Sequence, residues 1–275
     1  MPPHPVPARE WEFAGARGAI TARIWPHPDP RYVAVLAHGY GEHLGRYQHV
    51  ADALVRHGAV VAGPDHLGHG RSAGERALVT DVDDLVADLD TVVASARGDH
   101  PDLPVVLVGH SMGGLVAARH AQLHGGALAA LVLSGPVIGR WEVLGPLLAA
   151  DAIPDTPIDV ATLSRDPAVG EAYARDPLVW HGPFKRPTLE ALVAGLARVA
   201  EGGAFGALPT LWLHGSDDAL VPLEGTRQGI DAVRGDDLRE RIYPGARHEV
   251  FNETHRDEVL ADVTAFVDDV LGPPR

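Results

Sequence analysis

The chain has 275 residues, 45% of them apolar, and its 37 acidic against 23 basic side chains give a net charge of -14. That length can bury one large α/β core, and the acidic surface argues against a nucleic acid partner or attraction to anionic headgroups. There is no cysteine, which excludes disulfides, thiolate metal sites and a cysteine nucleophile.

Taken in chain order, the opening MPPHPVPAREWEF has no basic stretch leading into an apolar core. No apolar run reaches the roughly 20 residues of a membrane-spanning helix. A cytoplasmic protein, at most loosely membrane-associated, is expected. YVAVLAHG (32–39) reads as a buried strand, followed by a helical stretch over 43–58 and a second strand, AVVAG, over 59–63. Over 81–99, Val82, Leu85, Val86, Leu89, Val92 and Val93 recur at three- and four-residue spacing, which predicts a helix with one apolar face. LPVVLVG (103–109), a helix from Met112, and ALAALVLSG (127–135) continue the alternation. LPTLWLHG (208–215), LRERIYPG (238–245) and a helix over roughly 252–271 complete it. Continuously apolar strands separated by helices predict an α/β fold with a mostly parallel sheet covered on both faces.

Residues 137–206 interrupt this rhythm. They hold seven prolines, at 146, 154, 157, 167, 177, 183 and 187, and short apolar pieces such as WEVLGPLLAA and LEALVAGLARVA. One reading is a helical cap over the C-terminal edge of the sheet, dividing the core into 1–136 and 207–275. The other is two ordinary crossover helices joined by long loops. Ile138, Val143, Leu144, Leu147 and Leu148 exceed what a solvated insertion needs, so under the first reading they are candidates to receive an apolar ligand and to touch a lipid surface.

Gly109-His110-Ser111-Met112-Gly113 has the form G-x-S-x-G, as does Gly70-Arg71-Ser72-Ala73-Gly74. Shuffling this composition would produce such a match about one time in ten, so the pattern alone decides little. The position of the Ser111 match at the end of a buried strand and the start of a helix decides more. A sharp strand-to-helix turn holds the serine at positive φ and lifts its hydroxyl off the sheet, and side chains two residues away on either side would clash. A serine nucleophile needs a base, and the base needs an orienting acid. The next strands supply both: LPTLWLHGSDD ends in Asp217 and Asp218, and YPGARHE presents His248. The spacing leaves the two aspartates nearly tied. His38-Gly39-Tyr40-Gly41, after the first strand, can supply a backbone N–H to an oxyanion.

Five segments in order, HGYGEHLGRY (38–47), PDHLGHGRSAGER (64–76), GHSMGG (109–114), HGSDDALVP (214–222) and GARHEVFNE (245–253), resemble the monoacylglycerol lipase and lysophospholipase-like branch of the serine α/β-hydrolases. The resemblance implies the α/β-hydrolase fold and cleavage of a lipid ester, with no cofactor and no metal. It assigns the nucleophile to Ser111 and the base to His248. Of the two aspartates it selects Asp218, three residues after the glycine of HGSD and ahead of Val221-Pro222. The oxyanion donors carry over to the N–H groups of Tyr40 and Met112.

Glu42 and Arg46 have two readings: a helix-start carboxylate with its i+4 partner, or, by resemblance, the polar end of the pocket that receives glycerol. Some relatives carry a second histidine where this chain has Phe251. His38 and His110 read as packing or backbone-bonding residues, and His66 and His69 lack a third ligand for a metal. Asp65 and Ser72 are expected to tie turns together. Other functional readings are a lysophospholipase, a general carboxylesterase, a cofactor-free haloperoxidase and a non-catalytic receptor that kept the fold.

Overall fold

The computed structural model describes residues 4–273. In chain order the elements are β1 (Arg9–Ala14), β2 (Ala19–Trp25), β3 (Tyr32–Ala37), α1 (Gln48–Arg56), β4 (Ala59–Pro64), α2 (Val82–Asp99), β5 (Val105–His110) and α3 (Met112–His124). They continue with β6 (Ala130–Ser134), α4 (Leu144–Ala149), α5 (Pro167–Arg175), α6 (Arg186–Glu201), β7 (Thr210–Gly215), α7 (Leu223–Val233), β8 (Leu238–Tyr243) and α8 (Arg256–Leu271). The eight strands form one sheet in the order β1-β2-β4-β3-β5-β6-β7-β8. β1 and β2 pair antiparallel and β2 meets β4 antiparallel, whereas every pairing from β4 to β8 is parallel.

Alternation along the buried strands divides the core. On β3, Val33, Val35 and Ala37 face the layer of α2, α3, α6 and α7, while Tyr32, Ala34 and Leu36 face α1 and α8. Two covered faces explain why β3 to β7 read as unbroken apolar runs. The hairpin of β1 and β2 went unread for the converse reason. Glu10-Trp11-Glu12-Phe13 alternates at an edge where every other side chain is exposed, so no apolar run marks it. The stretch 43–58 is helical in two pieces, a 3-10 turn at Leu44–Tyr47 and then α1, whose Val50, Ala51, Leu54 and Val55 are buried. Truncating the fully buried Leu54 to Ala would cost about 2–5 kcal/mol.

Within 137–206, α6 lies along α2 and α3 and buries Leu189, Leu192 and Val199 in their core. Thr188 on α6 donates to the Ala77 carbonyl and accepts from the Val79 N–H, both at 3.0 Å, which clasps α6 to the loop after β4. α4 rests on α6. α5 and the 3-10 turn at Val160–Thr162 pack around Leu163, Tyr173 and Val179, with Leu220 from beyond β7 against them.

Candidate active site

Ser111 stands between β5 and α3 with φ 56° and ψ −119°. Its neighbours make that turn possible. A Cβ on Gly113 would fall 2.1 Å from the Ala37 carbonyl, and one on Gly109 would fall 2.4 Å from the Gly113 carbonyl. The close approach of these backbones thus requires both glycines.

Ser111 Oγ lies 2.9 Å from His248 Nε2, and His248 Nδ1 lies 2.7 Å from Asp218 Oδ2. With the Nδ1 proton held by the carboxylate, Nε2 is free to accept from the serine hydroxyl. All three side chains are buried. Asp218 Oδ1 accepts from the N–H groups of Leu220 and Val221, at 3.0 and 2.8 Å, which orients the carboxylate before it meets the imidazole. Asp217 is exposed and takes the Ser216 hydroxyl instead. Burial alone would raise the Asp218 carboxyl, but the His248 and His214 imidazoles outweigh it and hold it below the usual carboxylate range. Burial alone would lower His248, and Asp218, with Glu249 and Glu42 beyond it, outweighs that and raises it above an ordinary histidine.

The loop after β3 runs beside the serine. A Cβ on Gly39 would meet Ser111 Cβ at 3.2 Å and Glu42 Oε1 at 2.9 Å, so only glycine brings this backbone so near. Among the described residues, the N–H groups of Tyr40 and Met112 donate to no protein acceptor. They are free for an oxyanion.

Glu42 is buried at the cavity wall and already serves the protein. Its Oε1 accepts from the Gly39 N–H and the Tyr47 hydroxyl, both at 2.7 Å, and its Oε2 accepts from Arg46. Arg46 also forks onto both oxygens of Glu249 at 2.7 Å. The Arg46 guanidinium and the burial oppose each other at Glu249, and the guanidinium wins, holding that carboxyl low. Arg46 further lies 4.9 Å over the Tyr173 ring, whose hydroxyl is buried without a protein partner. Phe251, where some relatives have a second histidine, is packed in the core beside α1 and α8.

The serine opens into a narrow cavity of about 30 Å³. One side is apolar, where Val137, Trp141, Phe184 and Leu192 belong to one cluster. The other carries Glu42, Glu249 and Tyr173, with Ile158 and Leu163 packed beside Tyr173. None of the five apolar residues singled out at 138–148 borders this cavity. Ile138 and Leu144 are buried in the core, Leu147 and Leu148 pack against it, and Val143 is exposed at 42%. α4 packs on α6, so Leu144, Leu147 and Leu148 lie in or against the core. Apart from Leu192 on α6, the apolar lining comes from irregular segments, where periodicity gives no face to read. Glu249 was missed too: nothing in the sequence pairs it with an arginine 203 positions away.

Two contacts tie residues 176–180 to the loop after β3. His43 Nε2–H donates to Asp176 at 2.8 Å, and the Trp180 N–H donates to the Gly41 carbonyl at 2.7 Å. His38 and His110 bond to backbone carbonyls, of Gly39 and Ser134 respectively. His66 and His69 are buried beside His38, and burial lowers them to about 3 and about 4. Asp65 accepts from the Leu44 and Arg71 N–H groups, and Ser72 donates to the Asp65 carbonyl, which fixes the turns around them.

A family model for serine aminopeptidases, S33 (Hydrolase_4), matches residues 28–255, and the chain belongs to that family of hydrolases. The chain is 40% identical over 269 residues to a monoacylglycerol lipase of Mycolicibacterium smegmatis, covering 94% of this chain and 96% of that one. It is 34% identical to a monoglyceride lipase of Homo sapiens, over 85% of this chain and 81% of that one. Among solved structures, a monoacylglycerol lipase of Paleococcus ferrophilus superposes with a TM-score of 0.77 at 25% identity, over 91% of this chain and 98% of that one. The fold is that of the α/β-hydrolases.

Proposed function

We propose that this protein cleaves the ester bond of monoacylglycerols, releasing fatty acid and glycerol through an acyl-serine intermediate. The observation that carries the reading is the placement of the Ser111–His248–Asp218 relay between an apolar wall and a charged one. A ligand with one fatty chain and one small neutral polar end satisfies both walls at once. The names of the relatives point the same way.

In this reading Ser111 attacks the ester carbonyl as His248 Nε2 takes its proton. Asp218 holds the imidazole in the tautomer that can accept and stabilises the imidazolium that forms. The Tyr40 and Met112 N–H groups receive the oxyanion, and removing one such donor typically costs about a hundred- to a thousandfold in rate. His248 returns the proton to the departing glycerol oxygen, then activates a water that frees the fatty acid. The segment 137–206 serves as the cap, with α6 as its anchored end and Val143 as its most exposed apolar contact for lipid aggregates. A lysophospholipase or general carboxylesterase is the second reading. The charged wall stands against the first of these, because a phosphodiester would approach two buried carboxylates. Turnover measured with one acyl chain on glycerol, diacylglycerol, triacylglycerol and lysophosphatidylcholine decides: the glycerol monoester should be fastest by a wide margin. Equal rates on the lysophospholipid would overturn the reading.

A further inference from the structure

We propose that Glu249 is a positioning residue for His248: through Arg46 it locks the loop carrying the base to the loop carrying the oxyanion donors. The inference rests on the serine-hydrolase reading of the site and adds a residue that this reading does not use.

The connection is continuous. The Gly39 N–H donates to Glu42, Glu42 takes Arg46, and Arg46 forks onto both oxygens of Glu249, the residue next to His248. Glu249 is itself braced from the other side. The Asn252 amide donates to its Oε2 at 2.8 Å, and its own N–H donates to the Leu163 carbonyl at 2.8 Å. A planar guanidinium gripped at both oxygens fixes direction as well as distance. A base or donor displaced by about 1 Å can cost a hundredfold, so a strut between the two loops bears on rate.

The same cluster carries charge. Two carboxylates share one guanidinium, which leaves about one negative charge beside His248. The imidazole is faced by Asp218 from the β7 side, with His214 behind that carboxylate, and by His110 from β5, with rings 4.8 Å apart. Glu42 faces it from the loop after β3 and Glu249 from its own loop, with Arg46 bound between the two. His110 is held neutral by burial, at about 4. The surplus charge therefore favours the imidazolium that forms when Ser111 gives up its proton.

Glu249→Gln keeps an oxygen for Arg46 and removes the charge. Less negative charge lowers the pKa of His248, so the neutral base persists to lower pH and the acid limb of kcat/KM moves down. The expected shift is about half a unit, with kcat down about ten- to a hundredfold and KM for p-nitrophenyl butyrate held within about twofold. Glu249→Asp keeps the charge but not the reach: its acid limb should stay in place while kcat falls. A residue that merely stabilises the fold would lower the melting temperature without moving the limb. A folded Glu249→Gln variant with unchanged kcat and an unmoved limb overturns the proposal. If that variant does not fold, wild-type kcat in Glu249→Asp overturns it. Wild-type turnover that is lost in Ser111→Ala tests the hydrolase reading separately, so the two failures are distinguishable.

Discussion

On the apolar wall, Trp141, Phe184 and Leu192 meet with one directed bond in reach, from Trp141 Nε1–H to the Leu220 carbonyl. Phe184 stacks on Tyr40 with ring centroids 4.7 Å apart. On the charged wall, Glu42, Arg46 and Glu249 are joined by bonds of defined direction. The contrast separates two kinds of tolerance. Apolar contact is non-directional and degrades in proportion to the surface lost. A buried ion cluster fails abruptly, because removing one member leaves the others desolvated and unpaired.

The largest expected effect lies between the walls. Ser111→Ala should lower kcat by about a millionfold and abolish fluorophosphonate labelling, with the urea midpoint unchanged since no core contact is lost. Next, Asp218→Asn should lower kcat by about ten-thousandfold, whereas Asp217→Asn, at an exposed side chain, should stay within about twofold of wild type. Steady-state kinetics on p-nitrophenyl butyrate would distinguish them, and the reverse order would refute the assignment of the acid.

Arg46→Met probes the charged wall. It strands two buried carboxylates and should cost about 3–5 kcal/mol of stability at pH 7. In the wild type the Glu249 carboxyl is depressed, so its contribution is present above the unfolded pKa and is lost as pH falls. In the variant both carboxyls should rise above their unfolded values. Urea melts would then show the variant gaining stability as the medium is acidified, the opposite slope. A parallel loss in both proteins would mean that Arg46 is not what holds these groups ionised.

The apolar wall should respond more gently. Phe184→Ala is expected to lower kcat/KM by about tenfold for a long acyl ester and to leave the butyrate ester within about twofold. Smallest of all, Val143→Asp should leave dissolved substrates unchanged within about twofold, since the side chain is exposed and borders no part of the cavity. A large loss with Val143→Asp would restore α4 as part of the acyl site.

The same contrast explains what could be read in the sequence. β3 to β7 are buried on both faces, so their residues declare themselves as runs. The turn at Ser111 demands glycines at 109 and 113, and the sheet's C-terminal edge collects Asp218 and His248 in chain order. These constraints are local, and local constraints leave marks. Edge strand β1 leaves a weaker one, because Trp11 and Phe13 pack on only one side. The rest of the cavity lining leaves none: Ile158, Leu163 and Phe184 lie in segments whose direction is set by distant partners. The Arg46–Glu249 grip belongs to the same class, since only the folded sheet brings loops 203 positions apart together.

The bonds from Trp180 to Gly41 and from His43 to Asp176 have a mechanical consequence. Gly41 directly follows Tyr40, so the peptide meant to face the oxyanion borrows its footing from residues 176–180. Any outward swing of that stretch would admit bulky lipid and unfasten the oxyanion loop in the same motion. Loading through such a swing and holding the oxyanion could then not happen in the same instant.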